Sequence, residues 1–252
     1  MTVYPIPAFL ISLVTLSVAA WIGVTRFTRM RTEVAALRDE FGVIQGATLT
    51  LLGLIIGFTF SMALSRYEQR MNYEEEEANA IGTEYLRADL LPAADAAKVR
   101  TLLRSYVDQR MLFYATRNPA GLEKIATETA RLQAELWSAV SAPAVAQQTP
   151  LLTLVVAGMN DVLNSQGYTQ AAWLNRIPFS AWLLVVLIGA CATMLVGIGT
   201  RRSDTVPHLV MVLPLVISLA LFLIADIDSP RGGIIRIVPQ NLQILAQSMQ
   251  AS

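Results

Sequence analysis

Four stretches of the chain carry no acidic or basic side chain for twenty residues or more: Ile6–Thr25, Phe41–Ser65, Ile177–Thr200 and Val206–Ala225. A helix rising 1.5 Å per residue needs about 20 residues to cross roughly 30 Å of hydrocarbon. The pattern therefore predicts four transmembrane helices. No basic residue precedes the first window, no A-x-A site follows it, and basic residues come after it, so it reads as a retained span and not as a cleaved leader.

Between the second and third windows the pattern changes. Residues 66–176 hold 13 acidic and 11 basic side chains. Their apolar positions recur at helical spacing, as in Leu102, Leu103, Tyr106, Val107, Arg110, Met111 and Tyr114, and no alternating β-branched run is present. Pro92, Asn118-Pro119, Ser141–Pro143 and Thr149-Pro150 break the pattern. Four extramembrane helices are expected: Ser65–Leu91, Ala94–Arg117, Ala120–Val140 and Leu151–Leu174. From Leu49 to Leu91 there is no proline, so the second span should continue without interruption into the polar block. The resulting fold class is an all-α membrane protein with four spans and an inserted helical domain. Its parts are residues 1–65 (spans one and two), 66–176 (helical domain), 177–225 (spans three and four) and 226–252 (tail).

Composition supports a membrane location. Hydrophobic residues make up 54% of the 252 and charged residues 15%, against roughly 25% charged in a soluble domain. Nineteen basic residues balance nineteen acidic ones, which removes the basic footprint of a nucleic-acid binder. One cysteine, Cys191, and one histidine, His208, exclude a disulfide framework and a Cys- or multi-His metal centre. No nucleophile elbow, phosphate-binding loop, zinc-protease or dinucleotide motif occurs, so no catalytic residue, cofactor or metal is expected. The acidic run Glu74–Glu77 reads as a solvated helix face.

Within the spans, the second is the most informative. Gly42, Gly46, Thr50, Gly53, Gly57 and Ser61 recur at intervals of 4, 4, 3, 4 and 4, a stripe of small residues that lets helix backbones approach closely in lipid. The stripe suits packing against another span of the same chain, or packing between copies about an axis. Thr50, Leu54 and Phe58 share a face beside it. Gly189, Thr193 and Gly197 repeat the pattern on span three, and Pro214 is expected to kink span four. No charge lies deep in a span, which disfavours ion-coupled transport; a passive apolar constriction needs none. Just past span four, Asp226 and Asp228 precede Pro230-Arg231-Gly232-Gly233, a cluster that would bind an ion or lipid head group, or pair Asp with Arg at the interface.

Two segments resemble a known family. Leu51–Arg87 (LLGLIIGFTFSMALSRYEQRMNYEEEEANAIGTEYLR) with the following ADLLP, and the tail DIDSPRGGIIRIVP (Asp226–Pro239), look like bacterial proteins of the domain-of-unknown-function family 4239, also labelled bestrophin-like. Span two further resembles bestrophins, with Gly57-Phe58 followed by Arg66-Tyr67. Bestrophins are pentameric anion channels whose second span lines an apolar neck. The resemblance places neck positions on Thr50, Leu54 and Phe58, of which Thr50 is polar. It groups Arg66 and Tyr67 with Asp226, Asp228 and Arg231 near the membrane interface. No counterpart of the calcium clasp of animal bestrophins is found.

The two routes disagree on topology. Six arginines on the short loops (Arg26, Arg29, Arg31, Arg38, Arg201 and Arg202) put those loops in the cytoplasm and the helical domain outside. The resemblance puts that domain in the cytoplasm. The expected protein is a multi-pass component of the bacterial inner membrane, a homo-oligomeric bestrophin-like channel. Its partners are lipid, other copies of itself and permeant anions. The alternative is a non-conducting scaffold or stress sensor that binds a protein through its helical domain.

Overall fold

A computed structural model of the protein describes residues 4–26, 38–200 and 209–251. Among these the chain is helical and contains no strand. The elements are α1 (Pro5–Thr25), α2 (Arg38–Arg87), a 3-10 turn (Ala88–Leu90), α3 (Ala93–Ala115), α4 (Pro119–Ala146), α5 (Pro150–Leu174), α6 (Phe179–Gly199), α7 (Val212–Asp228) and α8 (Gln240–Ala251). The loop arginines Arg29, Arg31, Arg201 and Arg202, together with His208 and the start of the fourth window, lie outside the described residues. Among the described residues, three stretches are long and apolar enough to cross a membrane: Pro5–Thr25, Asp39–Leu90 and Pro150–Gly199. Helix α7 has 17 residues.

The chain divides into two compact units, residues 1–67 with 176–236, and residues 68–175 with 237–252. In the first unit α1 packs on α6 and α7. Leu16, Leu52, Trp182, Val185, Ile217 and Leu221 form part of its core. The contact between α1 and α6 closes on two glycines. A Cβ on Gly197 would stand 3.1 Å from the Gly23 Cα and collide with the Ala20 carbonyl, and one on Gly23 would collide with the Met194 carbonyl. The small residues of span three thus serve packing within the chain. Thr193 is buried there and bonds back to the Gly189 carbonyl at 2.9 Å, leaving no hydroxyl proton unpaired in the contact. Outward, Ile6, Leu10, Val14 and Trp21 of α1, and Leu183, Leu184 and Leu187 of α6, stand exposed, as expected of a lipid-facing surface. Pro214 falls in the first turn of α7; Leu209 and Val210 before it are helical and Met211 is a turn, so the helical path is interrupted three residues ahead of the proline.

In the second unit α3 packs on α4, α4 on α5, and α8 on α3. Val99, Leu103 and Tyr106 of α3 are buried, as are Leu132 and Leu136 of α4, Met159 and Val162 of α5, and Leu242 of α8. Two of the predicted breaks are helix starts with side-chain caps. Asn118 Oδ1 accepts from the Gly121 N–H at 2.5 Å, and Thr149 Oγ1 accepts from the Leu152 N–H at 3.3 Å; each is followed by a proline at the first helical position. The break expected at Ser141–Pro143 does not occur. Helix α4 runs through Pro143 to Ala146, because the proline removes only a bond near the helix end while its ring is buried on the apolar face.

Candidate functional site

Helix α2 carries three sets of residues that bear on function. In its apolar half, Leu52, Thr59 and Ala63 face the core of the first unit. The opposite side is open. Leu54 is 53% exposed and Phe58 63% exposed, and Thr50 is exposed beside them. A Cβ built on Gly42, Gly46, Gly53 or Gly57 would meet nothing within 4 Å. Among the described residues, none of these four glycines is a point of close approach to another span of the same chain. The intrachain close approach belongs to Gly23 and Gly197 instead. The Thr50 hydroxyl donates to the Gly46 carbonyl at 2.9 Å, one turn back in its own helix. Its proton is thereby satisfied, which makes the side chain less polar than its type suggests.

The cluster past span four is a network of backbone anchors. The Asp226 side chain accepts from the N–H groups of Ile234 and Ile235 at 2.7 and 2.8 Å, and Gly233 packs directly on it. Asp228 accepts from the Ile177 N–H, at 3.2 Å through its Oδ2, while Arg176 donates to the Asp228 carbonyl at 2.7 Å. Both aspartates are buried, at 2% and 4% exposure. Their side chains thus fold the Ser229–Ile235 segment and tie the start of α6 to the end of α7. Of the residues grouped with them, Arg66, Tyr67 and Arg231 are each half-buried, and Tyr67 lies against the apolar core of the first unit.

The polar half of α2 holds what sequence reasoning missed. In the acidic run, Glu75 and Glu76 are exposed, but Glu74 and Glu77 are buried, so the solvated-face expectation fails for two of the four. Their spacing of three puts both on the inward side of the helix, a signal that was present in the sequence but that burial alone could reveal. Glu77 pairs with Arg110 of α3 and accepts from Thr169 of α5 at 3.0 Å and from Tyr114 at 3.4 Å. Burial pushes the Tyr106 and Tyr114 hydroxyls well above the usual phenol range, and the Glu77 charge adds to it. Burial would draw the Arg110 guanidinium down, but the charge and hydrogen bond of Glu77 carry it upward. Glu74 accepts from the Leu242 N–H at 2.9 Å and from Asn241 Nδ2 at 2.7 Å, placing a carboxylate on the N-terminal turn of α8. Arg70 donates to the Ala172 carbonyl at 3.1 Å and the Asn175 carbonyl at 3.0 Å, filling acceptors left open at the end of α5. Among the described residues no group of His, Cys, Asp and Glu could hold a metal ion.

These features define a helical membrane protein with an exposed glycine-bearing helix face and a helical unit whose apolar core also buries charged side chains. The bestrophin-like domain, as a family, matches residues 10–242, and the chain belongs to the bestrophin-like family. None of the curated proteins matches it. Solved structures of a bacterial bestrophin homologue from Klebsiella pneumoniae share the fold. One, a variant of that homologue with a tyrosine replaced by alanine, has a TM-score of 0.67 at 13% identity and covers 96% of this chain and 98% of its own. Another, with a tryptophan replaced by alanine, has a TM-score of 0.67 at 13% identity over 100% of this chain and 97% of its own. A third, phased on zinc, has a TM-score of 0.64 at 15% identity, covering 96% and 95%.

Proposed function

We propose that the protein is the subunit of a homo-oligomeric, anion-permeable channel of the bacterial inner membrane. In this reading residues 1–65 and 177–225 supply four spans, and α2 of each copy lines a narrow neck at Thr50, Leu54 and Phe58. The observation that carries it is the open face of α2. Four glycines with nothing against them, beside an exposed leucine and phenylalanine, form a surface that lipid has no means to exploit and a second helix does. The absence of any charge between Phe41 and Ser65 fits a passage gated by wetting and dewetting of apolar side chains. Family membership supports the same reading.

Purified protein in chloride-loaded liposomes should release chloride, and Phe58→Ala, which widens the neck, should increase the release. A preparation that stays sealed in every condition, for wild type and variant alike, would overturn the proposal.

One observation favours a non-conducting protein-binding role. An open groove of about 720 Å³ lies in the second unit, and its lining includes Leu86, Asp89, Arg100, Ile244 and Leu245. Particle images separate the two readings, since rotational symmetry about a central hole belongs to the channel alone.

A further inference from the structure

Glu84 of α2 is fully buried, at 0% exposure, and neither carboxyl oxygen has a hydrogen-bond partner among the described residues. It lies outside the apolar window of α2 and within the second unit. Across from it, on α5, stands Gly158. The glycine is what makes room, because a Cβ there would collide with Glu84 Oε2 and with Arg87 Nη1. The carboxyl group therefore shares the space over the Gly158 backbone with the Arg87 guanidinium, without a hydrogen bond between them among the described residues. Two charged groups act on it: Arg87, three residues on along α2, and Asp161 of α5, three residues past Gly158.

We propose that Glu84 is a proton-operated latch between α2 and α5, seated against Gly158 when protonated and expelled toward solvent when ionised. The physical reason is desolvation. An ionised carboxylate held away from water with no donor is costly, whereas a neutral carboxylic acid tolerates the same place far better. Arg87 favours the ionised form and outweighs Asp161, which opposes a second negative charge beside it; burial outweighs both. Burial pushes the Glu84 carboxyl up to about 8 against the pull of Arg87, with a smaller upward push from Asp161. The sign follows from linkage. A group whose value in the folded state is raised binds its proton more tightly there than in the unfolded chain. Its contribution is complete below the ordinary value of 4.5 and is lost as pH rises through about 8. The latch would thus hold under mildly acidic conditions and release above them. The inference stands whether or not the protein conducts.

The test is a thermal-unfolding series on the full chain in detergent micelles between pH 5 and pH 9, with hydrogen exchange of residues 150–174 corrected for intrinsic rates. Wild type should lose roughly 5 °C of melting midpoint between pH 6 and pH 9, and α5 should exchange faster above pH 8. Glu84→Gln, a neutral group of the same shape, should flatten both profiles. Asp161→Asn should move the pH midpoint down and Arg87→Met should move it up, a pair of opposite shifts that remains readable if Glu84→Gln folds poorly. Unchanged pH dependence in Glu84→Gln, or no opposite movement in the two neighbouring variants, overturns the proposal.

Discussion

Glu77 of α2 and Arg110 of α3 form an ion pair with side-chain exposures of 0% and 1%. A pair this deep gives little net stability relative to an apolar pair, because both ions lose their water, but removing one partner strands the other charge. Arg110→Met should therefore cost about 3–5 kcal/mol. Replacing both, as Glu77→Leu with Arg110→Met, should cost less than the single change, although Thr169 and Tyr114 then lose an acceptor. Denaturant unfolding of the three variants checks this. A single variant within about 0.5 kcal/mol of wild type, the range of ordinary surface changes, would show that the pair is not desolvated.

The two sets of glycines should answer differently to substitution. Gly197 touches the backbone of α1, and backbone cannot yield as a side-chain tip can. Gly197→Val should separate α1 from α6 and cost at least about 1–3 kcal/mol, the usual penalty of overpacking. Gly53→Ala meets nothing within 4 Å among the described residues and should not destabilise the subunit; helix propensity should add up to about 1 kcal/mol. If copies associate along α2, it should instead weaken the oligomer. Unfolding in mixed detergent, paired with measurement of particle mass, reads both effects. Equal destabilisation by the two substitutions would refute the distinction.

Helix α8 is held at both ends, with Glu74 at its first turn and Arg104 donating to the Met249 carbonyl at 2.9 Å. Each contact complements the helix dipole, acid at the start and base at the end. Glu74→Ala should cost about 0.5–2 kcal/mol, as loss of a capping side chain does. Amides in residues 240–251 should exchange faster while those of α4 keep their protection. Uniform change across the second unit would mean that Glu74 supports the whole core and not this helix in particular.

Much of the helical framework can be read from local pattern. Apolar periodicity and the absence of β-signatures announce helices, and Asn118-Pro119 and Thr149-Pro150 announce starts, because capping and the fixed proline φ act within a few residues. The uninterrupted α2 is likewise legible, since only a proline or a helix-ending glycine would stop it. Membrane character follows from charge-free length.

What tertiary structure alone decided is which side of each helix meets a partner. The sequence shows glycine stripes on both spans two and three, but only packing assigns the close approach to Gly23 and Gly197 and leaves Gly42, Gly46, Gly53 and Gly57 open. It shows a run of four glutamates, yet burial sends Glu74 to cap α8 and Glu77 to meet Arg110 while Glu75 and Glu76 stay in water. It shows Asp226 and Asp228 near arginines, and only folding shows that their side chains accept from the backbone N–H groups of Ile234, Ile235 and Ile177. The reason is common to all three. Helix formation depends on neighbours within a turn, whereas the fate of a glycine or a carboxylate depends on atoms beyond its own helix, from 8 residues away for Asp226 to 168 for Glu74.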